Sequence, residues 1–238
     1  MVHPELDYDV PYRSLTWAWL APAVAMIALG AWYYSLPVMI AFCAVTLLWI
    51  SVYSTVLHYA LDAEEFAKWP VVGAAFVRFQ SHHFPQWINV IYRKPALDVV
   101  GELNPIAMIN LLAPLLLFRM RSREVFVAWG TYMVLGGYAM LCHRWAHEPP
   151  SRRPKFAGLL QRAHLALNPK EHWRHHALAV SPKGEFVENY DLSFGWSNGW
   201  FNRVLRVLPN ARVWLGFIVV ATLTQVWGLA MLLRWSHR

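Results

Sequence analysis

Nine of the 11 histidines lie in two polar stretches or where those stretches meet apolar runs: His58, His82, His83, His143, His147, His164, His172, His175 and His176. His3 and His237 sit near the ends and read as exposed, idle side chains. Spacing sets the others apart. His143 and His147 are four residues apart, which on a helix puts both rings on one face, one turn apart. His172, His175 and His176 follow the i, i+3, i+4 pattern, again one face. His58 and Asp62 are also four apart, at the end of an apolar run. The adjacent pair His82-His83 cannot share a helical face, and so suits two different metals, or one ligand and one structural contact. Imidazole binds Fe, Zn, Cu and Ni without adding negative charge. Eight or nine imidazoles are too many for one ion but fit two. The candidate metal ligands are therefore His58, His82, His83, His143, His147, His172, His175 and His176.

Other metal chemistries fit less well. Cys43 and Cys142 lie in or at the edge of apolar runs, and the chain has neither a CxxC unit nor an HExxH motif. A bis-histidine haem site would need facing histidines inside paired spans, whereas these sit at borders. A single histidine at a membrane edge is ordinarily structural; the metal reading rests on four clusters sharing one side. Asp62 is a candidate for the catalytic site as a metal ligand, as a carboxylate orienting His58 from behind, or as a helix cap, and the orienting role is the expected one.

The backbone that must hold these groups is legible nearby. Glu148-Pro149-Pro150 should end the helix carrying His143 and His147. Asn168-Pro169-Lys170-Glu171 reads as a helix start, with Asn168 as N-cap and Pro169 in the first turn. The histidine trio then occupies the first turns of its helix. Apolar runs at 15–36, 37–61, 125–142 and 213–233 are near the roughly twenty residues that cross a bilayer, while 105–118 is short for a span. The first two should form a tight hairpin about the turn at 33–37. Gly130, Gly136 and Gly137 in the fourth run allow close helix packing. The expected fold is all-α: a multi-pass membrane bundle of four or five spans with a histidine-rich helical cap, forming one membrane-embedded domain over 1–238.

Composition supports that reading. The chain of 238 residues is 57% hydrophobic and 15% charged, with 14 Trp. The net charge of +7 could suggest nucleic acid, but no basic face or recognition motif accompanies it. If all five runs cross or dip in turn, 16 of the 21 Lys and Arg fall on the side of the histidines. That side is expected to be cytoplasmic, although the Arg119–Arg123 turn dissents locally. The acidic start, with Glu5, Asp7 and Asp9, argues for a retained first span over a cleaved leader.

Metal at a membrane border suits one demanding reaction. Removing hydrogen from an unactivated C–H bond needs a strong oxidant, such as iron that has reacted with O₂. An alkyl or acyl chain in the bilayer would bring that bond to the border.

These residues resemble the Kua-type lipid desaturases, a family that includes plasmanylethanolamine desaturase, a carotenogenesis-regulator relative and a plastid phosphatidylglycerol desaturase. The resemblance covers about 54–202 and is carried by STVLHYALD at 54–62, PVVGAAFVRFQSHH at 70–83 and HRWAH at 143–147. LLQRAH at 159–164, HWRHH at 172–176 and GWSN at 195–198 complete it. It implies O₂-dependent insertion of a double bond at a di-iron centre. Electrons would come from a cytochrome b5-like or ferredoxin-like donor, and the substrate would be a membrane phospholipid. A histidine at the position of His164 resembles the ether-lipid branch. This favours conversion of 1-O-alkyl (plasmanyl) phospholipid to the 1-O-alk-1′-enyl (plasmenyl) form, with His164 as a catalytic-site residue. Lys94 stands where that branch has a further histidine, as in the plastid branch. An acyl-lipid desaturase or hydroxylase is thus the enzymatic alternative, and a membrane sensor or scaffold with structural metal is the non-enzymatic one. The last span, about 213–233, looks like an addition to the family core.

Overall fold

The computed structural model describes residues 13–70, 73–80, 83, 95–179 and 194–236, and every element among them is helical. His82, Arg93, Lys94 and the acidic stretch 183–191 lie outside the described residues. Among the described residues, four helices are long and apolar enough to cross a membrane: α1 (Arg13–Tyr33), α2 (Leu36–Asp62), α7 (Arg123–His147) and α11 (Ala211–Trp235). Between α2 and α7 lie α3 (Glu64–Ala67), α4 (Gly73–Gln80), α5 (Ala96–Gly101) and α6 (Asn104–Leu116). Between α7 and α11 lie α8 (Lys155–Arg162), α9 (Pro169–Ala179) and α10 (Asn198–Val207).

The direction of each helix follows from who meets whom. A Cβ placed on Gly130 of α7 would stand 2.6 Å from the Ala23 carbonyl oxygen of α1, and one on Gly30 would stand 2.7 Å from Val127. These contacts run antiparallel and require small residues at both points. The expected hairpin of α1 and α2 is therefore present in the chain but not in the packing. The connection is as short as expected, yet α1 lies mainly along α7 and touches α2 little. Glycine lets the α1 and α7 backbones approach closely, and α2 is taken up instead by α11 and α7. Tyr53 meets Thr222 at 2.7 Å, and Trp49 donates to Gln225 at 2.9 Å, so α2 and α11 are also antiparallel.

The short third run has a more definite shape than its sequence suggested. Val100 and Leu103 lie against Gly137 and Gly136, and Trp129 donates to the Ala107 carbonyl at 3.1 Å. This segment therefore descends antiparallel to α7. It does so as two helices in series, α5 and α6, with a break at Glu102-Leu103. Alone, α6 has 13 residues, about 20 Å of helix against an apolar bilayer core of about 30 Å. Buried amides compensate within the bundle. Asn104 accepts from Trp19 at 2.5 Å, and Gln225 donates to Asn110 at 2.8 Å. In an apolar bundle such paired polar groups tie helices together.

All described passes then agree on one geometry. The C-terminal ends of α2 and α7, the N-terminal ends of α1 and α11, and the cap helices α3, α8, α9 and α10 share one end of the bundle. Arg13 with Asp98 (2.8 Å) and Arg212 with Glu65 (2.9 Å) mark its rim. The ends of the cap helices follow local chemistry. Asn168 Oδ1 accepts from the Lys170 backbone N–H at 2.9 Å to start α9, and α7 stops at His147 with Glu148 as its cap. Gly195 adopts φ 79° before α10, a left-handed conformation that glycine takes at no steric cost. A side chain there would also approach Glu171 at 3.2 Å.

Candidate metal centre

Two sets of side chains converge where α2, α7 and α9 meet. The first comprises His143 and His147 from α7 with His172 and His176 from α9, all four buried. Their Nε2 atoms face one another: His143 to His147 at 3.1 Å, His147 to His172 at 2.8 Å, and His172 to His176 at 3.0 Å. The second comprises His58 and Asp62 from the last turn of α2, His83 after α4, and His175 from α9. Here His175 Nε2 meets His58 Nε2 at 3.1 Å, and His83 Nε2 meets Asp62 Oδ1 at 2.9 Å. The other Asp62 oxygen stands 3.4 Å from both His58 and His175.

The trio on α9 is split more finely than its common face implied. His172 and His176, one turn apart, turn toward α7, while His175 turns toward α2. The two sets abut: the rings of His83 and His176 are 4.5 Å apart and those of His58 and His143 are 6.2 Å apart. Asp62 also departs from expectation. A carboxylate that orients an imidazole from behind would approach Nδ1. Asp62 instead faces the Nε2 atoms, so its oxygens belong to the converging donors.

The donor set itself tests whether a metal fits. A neutral imidazole Nε2 is either a donor or an acceptor. A run of four Nε2 atoms at hydrogen-bond distance cannot give each atom both roles, and protonating the rings would crowd like charges. Burial, and then His147, His143 and the other neighbours, pushes His172 well below the usual histidine range. His176 is pushed the same way by burial and by His83, His147 and others. Four neutral lone pairs aimed at one point are instead satisfied by a cation. Nitrogen ligands about 2.1 Å from an ion lie about 3 to 3.4 Å apart, close to the spacing in the first set. Each set offers four ligand atoms within 4.8 Å of one another. Such a pair of sites can bind two ions side by side, with Trp173 flanking the first at 5.9 Å from both His147 and His176.

His164 is not among the converging groups. It ends the turn after α8 at φ 56° and is exposed, and its carbonyl accepts from Trp196 Nε1 at 2.7 Å. Sequence reasoning passed over a neighbouring network. Arg144 donates to Glu148 at 2.8 Å, and Arg153 donates both to the Glu148 carbonyl at 2.6 Å and to Gln161 at 2.7 Å. Only the Arg144–Glu148 spacing of four gave any advance sign of it.

A profile of the lipid desaturase domain matches residues 47–217, more than half of the chain. It takes in α2 from mid-helix through the cap and leaves α1 and most of α11 outside. The chain is 27% identical over 146 residues to the chloroplastic fatty acid desaturase 4 of Arabidopsis thaliana, covering 61% of this chain and 42% of that protein. It is 26% identical over 163 residues to plasmanylethanolamine desaturase 1 of Mus musculus, covering 65% and 55%. It is also 26% identical over 151 residues to the plasmanylethanolamine desaturase of Myxococcus xanthus, covering 60% and 48%. The match spans about half the length of these relatives. No solved structure matches significantly. The helical bundle, the paired histidine sets at its end and the profile match agree: the chain belongs to the lipid desaturase family.

Proposed function

We propose that this protein is an O₂-dependent di-iron membrane lipid desaturase acting as one membrane-embedded domain, and that it converts 1-O-alkyl phospholipid to the 1-O-alk-1′-enyl form. The observation that carries the reading is the pair of abutting four-donor sets at one end of helices long enough to cross a membrane. His143, His147, His172 and His176 would hold one iron, and His58, Asp62, His83 and His175 the other. His82, outside the described residues, remains a candidate ligand beside His83. Bound iron with O₂ would supply the oxidant that takes two hydrogens from adjacent chain carbons. Two electrons and two protons from a cytochrome b5-like or ferredoxin-like donor complete the reduction of O₂ to two waters.

The protein's own part is positional. Burial disfavours the charged form of His172 and His176 and pushes both below the usual histidine range, which keeps their lone pairs available. Asp62 adds the only negative charge among the eight donors. The apolar ends of α2 and α7 would bring a lipid chain to this border, and the excess of Lys and Arg on that side supports a cytoplasmic orientation. His164 acts on substrate from outside the metal sets.

The acyl-lipid reading keeps a specific support: the chloroplastic fatty acid desaturase is matched at 27% identity, alongside the ether-lipid enzymes at 26%. One experiment separates them. Cells expressing the protein and fed alkylglycerol should release acid-labile aldehyde, and the purified protein should carry close to two irons. New acyl double bonds without aldehyde would move the assignment to acyl lipids. Two bound metals with neither product, given O₂ and reductant, would leave a scaffold.

A further inference from the structure

The corner between α7, α8 and the start of α9 borders an open cavity of about 1080 Å³, and His147 of the first histidine set lies on its wall. Three groups on that wall are buried yet incompletely paired. Arg153 uses both terminal nitrogens, on Gln161 Oε1 and on the Glu148 carbonyl, but its Nε–H has no partner. Gln161 accepts from Arg153 through its oxygen, while its Nε2 has none. Glu148 takes Arg144 on one oxygen, and its Oε2 has none. Gln161 and Glu148 are each 6% exposed. Buried polar groups are rarely left so, and three on one connected network are better explained by a ligand that completes them.

The pattern specifies that ligand. Arg153 and Gln161, bonded to each other, each leave one donor unpaired, and Glu148, bonded to Arg153 through its carbonyl, leaves one acceptor. Arg152, Arg162 and Lys170 add positive charge around the same cavity, where Glu148 is the only carboxylate among the described lining residues. Paired donors on a guanidinium and an amide, within a positive field, suit phosphoryl oxygens. The free carboxylate oxygen asks for an N–H or O–H on the ligand. We propose that this cavity is a headgroup site for a phosphodiester whose headgroup nitrogen carries a hydrogen-bond donor, with Arg153 and Gln161 on the phosphate and Glu148 Oε2 on that N–H. That the phosphodiester belongs to a lipid rests on the desaturase reading; the phosphate chemistry does not. The site also gives His164 a place. It lies on the same wall, where it meets the headgroup and not the metals.

The test uses the full-length, iron-loaded protein in detergent, with glycerophosphoethanolamine, glycerophosphocholine and inorganic phosphate as probes in calorimetric titrations. Glycerophosphoethanolamine should bind at least tenfold more tightly than glycerophosphocholine, whose trimethylammonium has no N–H. Gln161→Glu keeps the bond from Arg153 and the side-chain size but replaces the free donor with a carboxylate. It should weaken both diesters at least tenfold. Glu148→Gln should leave glycerophosphocholine unchanged and bring the two diesters level. Iron content and thermal melting serve as folding controls.

Equal binding of the two diesters to the unaltered protein would overturn the donor assignment, and tighter binding of inorganic phosphate would overturn the lipid source. No binding, or binding indifferent to Gln161→Glu, would overturn the site. Lipid turnover in the same preparation separates this from the proposed function. Headgroup binding without desaturation leaves the site and removes the enzyme; desaturation with an unchanged KM in Gln161→Glu does the reverse.

Discussion

The two donor sets solve the same problem by different means. The first draws on two helices, each giving an i, i+4 pair: His143 with His147, and His172 with His176. Helical repeat alone puts each pair in register, so only one tertiary contact, α7 against α9, has to form. The second gathers His58 and Asp62 from α2, His83 from the segment after α4, and His175 from the other side of the α9 trio. Three elements must dock before its donors meet. Its carboxylate is also 20% exposed, while all four imidazoles of the first set are buried. The first set is therefore the preformed one, and the second depends on the cap closing over it.

Removing a donor from the first set tests that contrast most severely. His172 contacts both His147 and His176 through Nε2, at 2.8 and 3.0 Å. His172→Ala should leave the iron of that set unbound and lower desaturation by at least about a hundredfold, since even outer partners of a metal ligand are worth 10–100-fold. Iron per chain, measured by elemental analysis, should fall from near two to near one. Retention of both irons would show that the first set is not a metal site. Asp62→Asn should do less. It keeps the shape of the side chain while removing the charge, so the second iron should bind roughly 10–100-fold more weakly and the first should stay. Chelator competition resolves the two populations.

Acid should act on both sets, and its direction can be worked out. Burial and neighbouring rings hold His172 and His176 below the usual histidine value, which is about 6.5 in an unfolded chain. Below that pH the unfolded chain takes up protons that the folded protein refuses, so stability falls as pH falls. Above it both states are neutral at these rings and nothing changes. The metal-free protein should therefore melt at progressively lower temperature as pH falls below about 6.5. Protons also compete for the ligand lone pairs, so iron should be lost over the same window. Loss should be steeper for the all-imidazole set, because a carboxylate ordinarily protonates only near pH 4. Metal-free melting that is flat between pH 7.5 and 5.5 would contradict the burial of these rings as neutral groups.

What the sequence disclosed follows the same division. Periodicity exposed the pairs at 143/147 and 172/176, and Asn168-Pro169 announced the helix holding the second pair, because these are properties of one helix. The split of the α9 trio was not visible. His172, His175 and His176 share a face at the resolution of spacing, and only the positions of α2 and α7 divide them. Asp62 was legible as a neighbour of His58 but not as a group facing Nε2, which depends on where His83 and His175 arrive. The bundle behaves alike. The runs that became α1, α2, α7 and α11 stood out by length and apolarity. The partnership of α1 with α7 rests on Gly130 meeting Ala23 and Gly30 meeting Val127 across the chain. Arg153, Gln161 and Glu148 were missed because a buried polar network leaves no period in sequence.

His164 gives the smallest effect and sharpens the comparison from outside. It belongs to neither set, it is exposed, and the bond from Trp196 Nε1 involves its backbone carbonyl, which survives truncation of the ring. His164→Ala also leaves a residue at φ 56° that alanine tolerates about as poorly as histidine. Stability should thus change little, and both irons should remain. If the ring meets substrate, turnover of 1-O-alkyl lipid should still fall, by about tenfold, the size of effect expected when one hydrogen bond of about 1.4 kcal/mol is lost from the transition state. Acid-labile aldehyde release, normalised to iron content, measures it. Loss of iron in this variant would bring His164 into the metal centre and make the division into two four-donor sets incomplete. Unchanged turnover with both irons present would leave catalysis to those two sets alone.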